Sequence, residues 1–480
     1  MAKKNENRFV SEIADIRTDF PGWYTDVVLK TELVDYGPVK GTMVIRPYGY
    51  AIWEKIKEEM DKRIKATGHE NAYFPMLIPY SFLTREKEHV EGFAPEVALI
   101  THYGEEELAE KLVVRPTSET IICEMYAKWI KSYRDLPVLI NQWANVVRCE
   151  KTTRPFLRTS EFLWQEGHTV HATREEAEDE TLKMLGVYEE FMKNVLAIPV
   201  LTGRKSEKEK FAGAYATYAM EAMMLDGKSL QAGTSHDLGQ NFAEAFGIKF
   251  LDKDGTHKTP YQTSWGTTTR LIGALIMAHG DQRGLALPPR VAPVQVIIIP
   301  IASHKEGVID KAKELEILLK KADIRVKIDN TDATTGWKFN EWEMKGVPVR
   351  LEVGPRDIEN NQVILARRDT HEKTVVSMDN LADTITELLD NIHDNMYYKA
   401  EAFLKEHIKA VFSMEELQTA VENGNFVKMM WCGDRECEDK IKAATNASSR
   451  VMPFDQTPIG DVCPICGKKA DKVMIFARAY

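Results

Sequence analysis

Residues 146–169, VVRCEKTTRPFLRTSEFLWQEGHT, set three arginines, three glutamates and a histidine among strand-forming apolar and aromatic residues. The planar fork of arginine makes two parallel hydrogen bonds to a phosphate and stays charged at any working pH. Arg148 and Arg158 are therefore candidate phosphate ligands. Segments 146–150 and 162–165 read as two antiparallel strands, with Lys-Thr-Thr-Arg-Pro as the loop between them. Glu150, two residues beyond Arg148, then shares a strand face with it, and the pair could hold opposite poles of one ligand. A plain arginine–glutamate ion pair is the competing reading of that spacing.

Three further segments carry polar side chains at the ends of apolar elements. In LVVRPTSE, residues 112–119, a short strand delivers Arg115, Thr117 and Glu119 just before an apolar helix expected from about Thr120. Thr117 could equally be a helix cap. SLQAGTSHDLGQNF, residues 229–242, combines Gly233 and Gly239 with Gln231, Thr234 and His236, a composition unusual for a core strand. A lone histidine there is more often structural. YQTSWGTTTR places Ser264, Gly266 and Arg270 at a strand end, ahead of an apolar helix over 271–277. Gly266 lets a ligand approach the backbone closely, whereas Arg270 could also cap or pair locally.

Of the six cysteines, Cys123 and Cys149 stand alone in apolar surroundings and are expected to be small buried hydrophobes. The other four form two close pairs, Cys432 with Cys437 and Cys463 with Cys466, suited to the knuckles of a tetrahedral thiolate site. Zinc is favoured over disulfides or free thiols, because paired thiols in a reducing compartment more often bind metal than oxidise. With four thiolates and no open position, such a metal is structural.

The elements that must position these groups follow from length, charge and periodicity. A chain of 480 residues implies roughly two to four domains. The net charge of −10 argues against coating nucleic acid through bulk positive charge, so any polyanion contact is local; no DNA partner is expected. The N-terminal MAKKNENRFVSE is followed by no apolar segment, and VAPVQVIIIPIA is too short to span a bilayer. Neither export nor a membrane partner is expected, and the cytoplasm is the expected location. Ile52, Ile56, Met60 and Ile64 stripe one helix face that Gly68 ends, and AYFPMLIP reads as a strand after it. Residues 173–196 form an acidic amphipathic helix with a solvated charged face. The proline-bearing LALPPRVAPV marks a linker. Beyond it, VQVIIIPI, RVKIDN, VPVRLEVG and QVILARRD alternate with helical stretches, the mark of a small α/β domain. A long helix over 379–411 leads into the cysteine-bearing tail. The fold class is α/β multidomain, with expected boundaries at 1–286, 287–395 and 396–480.

With these segments assembled, the chain resembles the class II aminoacyl-tRNA synthetases, in particular the prolyl family of the archaeal and eukaryote-like type, over nearly its full length. The helix and strand ending at Pro75 look like motif 1, VVRCE with RTSEFLWQEGHT like motif 2, and SWGTTTRLIGALIMAHGD like motif 3. RPTSE, FLWQEGH and QAGTSHDLGQNF point to proline. Trp265 and Thr267 stand where small glycines are common across the class, but the segment is similar to the prolyl variant.

The resemblance implies a class II catalytic domain on an antiparallel sheet, an α/β anticodon-binding domain and a small α+β zinc-binding C-terminal domain. It implies a ligase that activates L-proline with ATP and passes prolyl to tRNA(Pro), acting as a homodimer by the motif 1 likeness. No enzyme nucleophile is needed, since such a displacement depends on positioning and charge stabilisation. By the same resemblance Arg148 and Arg270 are catalytic, and ATP is held by Arg148, Glu150, Arg158, Thr159, Phe162, Gln231, Thr234 and Arg270, with Mg2+ on its phosphates. Thr117, Glu119, Arg148, Trp164, Glu166, His168, His236, Ser264 and Gly266 form the proline pocket. Arg350, Glu352, Arg356 and Asp357 suit the adjacent guanines of proline anticodons, with ordinary strand ion pairs as the alternative. Cys432, Cys437, Cys463 and Cys466 hold structural Zn2+. No interval between motifs 2 and 3 has room for an editing domain, so no proofreading in cis is expected. The terminal Tyr480 is expected to approach the catalytic domain. A catalytically silent tRNA-binding or regulatory paralogue is the alternative function, and a threonyl, glycyl or histidyl specificity would share the ATP site.

Overall fold

The computed structural model describes residues 13–83, 85 and 97–480; the MAKKNENRFVSE stretch lies outside them. Six antiparallel strands form the centre: β1 (Val138–Val147), β2 (Glu161–His171), β3 (Val200–Arg204), β4 (Ala216–Met223), β5 (Ser229–Gly239) and β6 (Tyr261–Thr268). Their order is β3-β4-β5-β6-β2-β1, with the short strand Glu70–Asn71 parallel at the β1 edge. Helix α1 (Pro47–Ala66) buries the stripe Ile52, Ile56, Met60 and Ile64 and stops before Gly68, whose φ of 89° a side chain rarely adopts. Helix α2 spans Glu119–Trp129. Helix α3 (Arg174–Asn194) opens with a reciprocal Thr173–Glu176 capping box and covers one sheet face with Met184, Leu185, Tyr188 and Phe191. Helix α4 (Arg270–His279) buries Leu271–Met277.

Several local expectations are corrected. Strand β1 ends at Val147, not at residue 150, because the Glu150 N–H turns back to the Arg148 carbonyl at 2.8 Å and leaves the ladder. Arg148 and Glu150 therefore share a loop rather than a strand face. Strand β2 is far longer than 162–165, since β1 and β6 both supply partners along its length. Only Leu77–Pro79 of AYFPMLIP is strand, for Pro75 cannot donate and the Phe74 carbonyl is taken by Arg115 at 2.7 Å. Cys149 is exposed, since the loop carries it out of the sheet, whereas Cys123 is buried as expected.

Beyond the linker, a five-stranded mixed sheet runs in the order Val326–Ile328, Val296–Pro300, Val349–Val353, Gln362–Arg367, Lys373–Ser377. The expected long helix is Leu381–Glu406, which ends where strand Ile408–Ala410 begins. The cysteine-bearing tail is α+β, and its strand Ser448–Pro453 pairs with β3 through Met452 and Arg204. One eleven-stranded sheet thus runs from the tail into the central six strands. Buried Glu221 of β4 fixes that junction, binding Lys205 at 2.7 Å and Arg450 at 3.1 Å. Burial alone would raise its pKa, but the two cations outweigh it and hold the carboxyl at about 2. Among the described residues, no helix is long and apolar enough to cross a membrane.

Candidate active site

Side chains alternate across a strand, so the pairing register decides which residues meet. In β2, β6 and β5 it aligns His168 with Ser264 and His236 in one row, and Glu166 with Gly266 and Thr234 in the next. These rows floor a cleft of about 340 Å³. The loop from β1 to β2 adds Arg148, Glu150, Arg158 and Thr159, and the start of β2 adds Phe162 and Trp164. Thr117 and Glu119 enter from the start of α2, Gln231 from β5 and Arg270 from the start of α4. Every residue expected to bind proline or ATP lines this one cleft. A Cβ on Gly266 would stand 3.0 Å from the Gln165 carbonyl, so the bare backbone keeps the floor low.

At one end, the Glu166 carboxylate accepts bonds from Ser118 Oγ, from Gln142 Nε2 at 2.8 Å and from His168 Nε2 at 2.9 Å. Burial works against charge on both Glu166 and His168. Their mutual bond prevails, lowering the Glu166 pKa and raising that of His168. Thr117 donates its hydroxyl to Glu119 and makes no helix cap, as Ser118 occupies that position. His236 is held at Nδ1 by Thr217 and at Nε2 by Thr234, each at 2.9 Å. Burial, and then the neighbouring His168, push its pKa down to about 3, so it is neutral. Trp164 Nε1 and Ser264 Oγ are buried without a hydrogen-bond partner among the described residues. Such groups cost stability unless a ligand satisfies them.

At the other end, Arg270 donates to the carbonyls of Leu157 at 3.1 Å and Gln231 at 3.3 Å. Its pKa falls to about 10 because it is buried and because Arg148 and Arg158 repel it. Arg148 donates Nε to the Pro116 carbonyl at 3.0 Å and lies over Phe162 at 5.4 Å. Glu150 pairs with Arg158 at 3.1 Å rather than with Arg148. Three arginines around one carboxylate make this end an anion site.

Sequence reasoning missed Ser118, Gln142, Phe156, Leu157, Phe211 and Thr217. Ser118 lies inside RPTSE, which was a usable signal; Gln142 becomes visible only through its register opposite Glu166. Arg115 is buried outside the cleft, bound to the Asn145 carbonyl at 2.8 Å and to Phe74.

Two further clusters lie apart. Glu352 receives Arg350 at 2.9 Å and Lys373 at 2.8 Å, with the Arg350 guanidinium 3.8 Å from the Phe339 ring centre. Asp357 caps the Gly354 N–H at 2.8 Å, while Arg356 of the same short helix is exposed. In the tail, the ligand atoms of Cys432, Cys437, Cys463 and Cys466 all lie within 4.8 Å of one another. The spacings from Cys432 Sγ to Cys437 and Cys466 are both 3.7 Å. That is far longer than a disulfide and close to the sulfur–sulfur edge of about 3.8 Å in a tetrahedral zinc–thiolate site. Tyr480 docks beside β5, its hydroxyl donating to Asp226 at 2.6 Å and its N–H to the Ser229 carbonyl at 3.1 Å.

Residues 102–279 match the family described as tRNA synthetase class II core domain (G, H, P, S and T). Residues 295–388 match an anticodon binding domain, and residues 414–480 match prolyl-tRNA synthetase, C-terminal. The chain is 61% identical to a proline–tRNA ligase of Alkaliphilus oremlandii, over 99% of this chain and 100% of that protein. It is 59% identical to proline–tRNA ligase 2 of Clostridioides difficile, with the same coverage. Among solved structures it resembles prolyl-tRNA synthetase from Cryptosporidium parvum complexed with halofuginone and AMPPNP. The TM-score is 0.94 at 44% identity, covering 98% of this chain and 99% of that one.

Proposed function

The chain belongs to the prolyl-tRNA synthetase family and as a proline–tRNA ligase joins proline to tRNA; we propose that both chemical steps run in the cleft on β2, β5 and β6. In the first, the proline carboxylate attacks the α-phosphate of ATP, giving prolyl-adenylate and pyrophosphate. In the second, a terminal ribose hydroxyl of tRNA(Pro) takes the prolyl group and AMP leaves. One observation carries this reading: the strand register sets a buried carboxylate, Glu166, at one end of a single cleft and an arginine cluster at the other.

Glu166, already fixed by Ser118, Gln142 and His168, accepts the proline ammonium by charge-assisted bonds. Thr117, Glu119, Trp164, His236, Ser264 and Gly266 close around the ring, the unpartnered Trp164 and Ser264 groups being available to substrate. Arg148 stabilises charge developing on the α-phosphate and Arg158 and Arg270 hold the outer phosphates. Phe162 stacks on adenine, with Glu150, Thr159, Gln231 and Thr234 lining the nucleotide. Mg2+ bound with ATP would supply further charge neutralisation, held by the phosphates themselves, since the Glu150 carboxylate at that end is engaged by Arg158 at 3.1 Å. No residue is required as a nucleophile.

Arg350, Glu352, Arg356 and Asp357 face the anticodon, with Asp357 acting through the helix it caps. The cysteine cluster holds structural Zn2+, which its sulfur spacing suits. Domain boundaries fall at 1–286, 287–395 and 396–480; the protein works in the cytoplasm as a homodimer and does not edit in cis. Arg148 and Arg270 both line the cleft, and no observation favours a silent paralogue. ATP–pyrophosphate exchange across an amino-acid panel tests the reading: proline should drive exchange, and its failure to do so with metal-replete, folded protein sinks the proposal.

A further inference from the structure

The helix that begins with Arg270 ends two residues before Asp281. Asp281 is gripped by a side chain from beyond the linker. Arg368, only 3% exposed, donates Nη1 to Asp281 Oδ2 at 2.7 Å and Nη2 to Oδ1 at 2.6 Å, a bidentate fork. Arg368 is itself immobilised. Its N–H bonds the Pro348 carbonyl and its Nε the Glu343 carbonyl, each at 2.9 Å. Pro348 immediately precedes the strand that carries Arg350 and Glu352. Around the fork, Arg283 pairs with Glu343 at 2.8 Å, and His371 lies 3.2 Å from Glu343 and 3.6 Å from Asp281. Asp281 is also fixed from the catalytic side, where its carbonyl accepts Trp23 Nε1 at 2.9 Å and its N–H bonds the Gly284 carbonyl.

We infer that Arg368 and Asp281 are a positioning pair that sets the angle between the five-stranded sheet and α4, and so between a tRNA seated on that sheet and Arg270. The inference rests on the proposed function. An α-helix of ten residues is a rigid rod of about 15 Å, so a rotation of the clasp at its far end is felt at Arg270. Neither residue lines the cleft. Loss of the pair should therefore spare reactions that need only small substrates and harm the one that needs tRNA. Asp281→Asn keeps one oxygen to accept from Arg368 but removes the counter-charge of a guanidinium only 3% exposed, so that variant also costs stability and Arg368→Lys is needed beside it.

The test compares two reactions in the full-length protein. In Asp281→Asn, proline-dependent ATP–pyrophosphate exchange should stay within about twofold of the unaltered protein, while charging of tRNA(Pro) at subsaturating tRNA falls about tenfold, a common size for coupling between sites. Arg368→Lys keeps the charge but loses the fork, and should give a smaller loss of charging alone; it carries the test if Asp281→Asn does not fold. Parallel loss of exchange and charging, or unchanged charging in both variants, overturns the clasp. Absence of proline-dependent exchange in the unaltered protein would instead overturn the functional reading.

Discussion

Glu166 Oε2 lies 2.9 Å from His168 Nε2, two residues along one strand face, with both side chains buried. The Glu166 pKa is lowered, so its contribution is present above the ordinary carboxyl value of about 4.3 and is lost as pH falls through the lowered value. The His168 pKa is raised, so its contribution is full below about 6.5 and is lost as pH rises through the raised value. KM for proline should therefore stay flat between the two shifted values and rise as pH falls through the lowered Glu166 value or climbs through the raised His168 value. His168→Gln should remove the alkaline rise; an unchanged alkaline limb in that variant refutes the pairing.

Arg148→Ala should lower proline-dependent exchange by about 10²–10³-fold, the usual loss when one preorganised charge donor is removed. Arg270→Lys keeps the charge but cannot reach both the Leu157 and Gln231 carbonyls, and its main effect should be a raised KM for ATP. Near-normal kinetics in either variant would remove that arginine from its assigned place.

Gly167 faces the side of the sheet opposite the cleft, where a Cβ would come within 2.1 Å of the Trp265 ring. Gly167→Ala should destabilise the fold by about 1–3 kcal/mol, as overpacking of a buried site does. The measurement is the urea midpoint at constant m-value, and an unshifted midpoint would mean that the indole can move.

Stripping metal with a strong chelator, or Cys463→Ser, should release bound zinc and lower the melting temperature. Because Ser448–Pro453 pairs with β3 and Arg450 binds Glu221, the loss should also reduce exchange activity. Elemental analysis gives the metal content; a metal-free protein that melts unchanged counts against a structural ion.

Glu352→Ala should leave exchange intact and weaken charging of tRNA(Pro), with discrimination at a guanine reduced by about 1–3 kcal/mol. The change also frees Arg350 and Lys373, both bound to Glu352. If charging of guanine-substituted anticodons still drops as in the unaltered protein, the three charges are a strand ion pair and nothing more.

Much of the site was legible in the chain because its chemistry is local in phase. Trp164, Glu166 and His168 alternate along one strand, as do Thr234 with His236 and Ser264 with Gly266, so each set must share a face wherever the strand lies. The helix stripe from Ile52 to Ile64, the stop at Gly68 and the two cysteine pairs are equally short-range patterns. Expectations failed where a neighbour decides. Val147 ends β1 because Glu150 turns back on Arg148, and Cys149 is carried into solvent with that loop. Glu150 takes Arg158 as its partner because the loop brings them together, although Arg148 is nearer in sequence.

The sequence by itself determined which residues alternate, which helices carry an apolar face, and which side chains can hold an ammonium, a phosphate or a thiophilic metal, because these depend on residue type and backbone period. Only the tertiary structure decided that Gln142 and Ser118 would fix Glu166, that β2, β6 and β5 would align into two rows, and that Arg368 would grip Asp281. Strand register and domain docking are chosen by the packing of segments far apart in the chain, and a local pattern is compatible with many such choices.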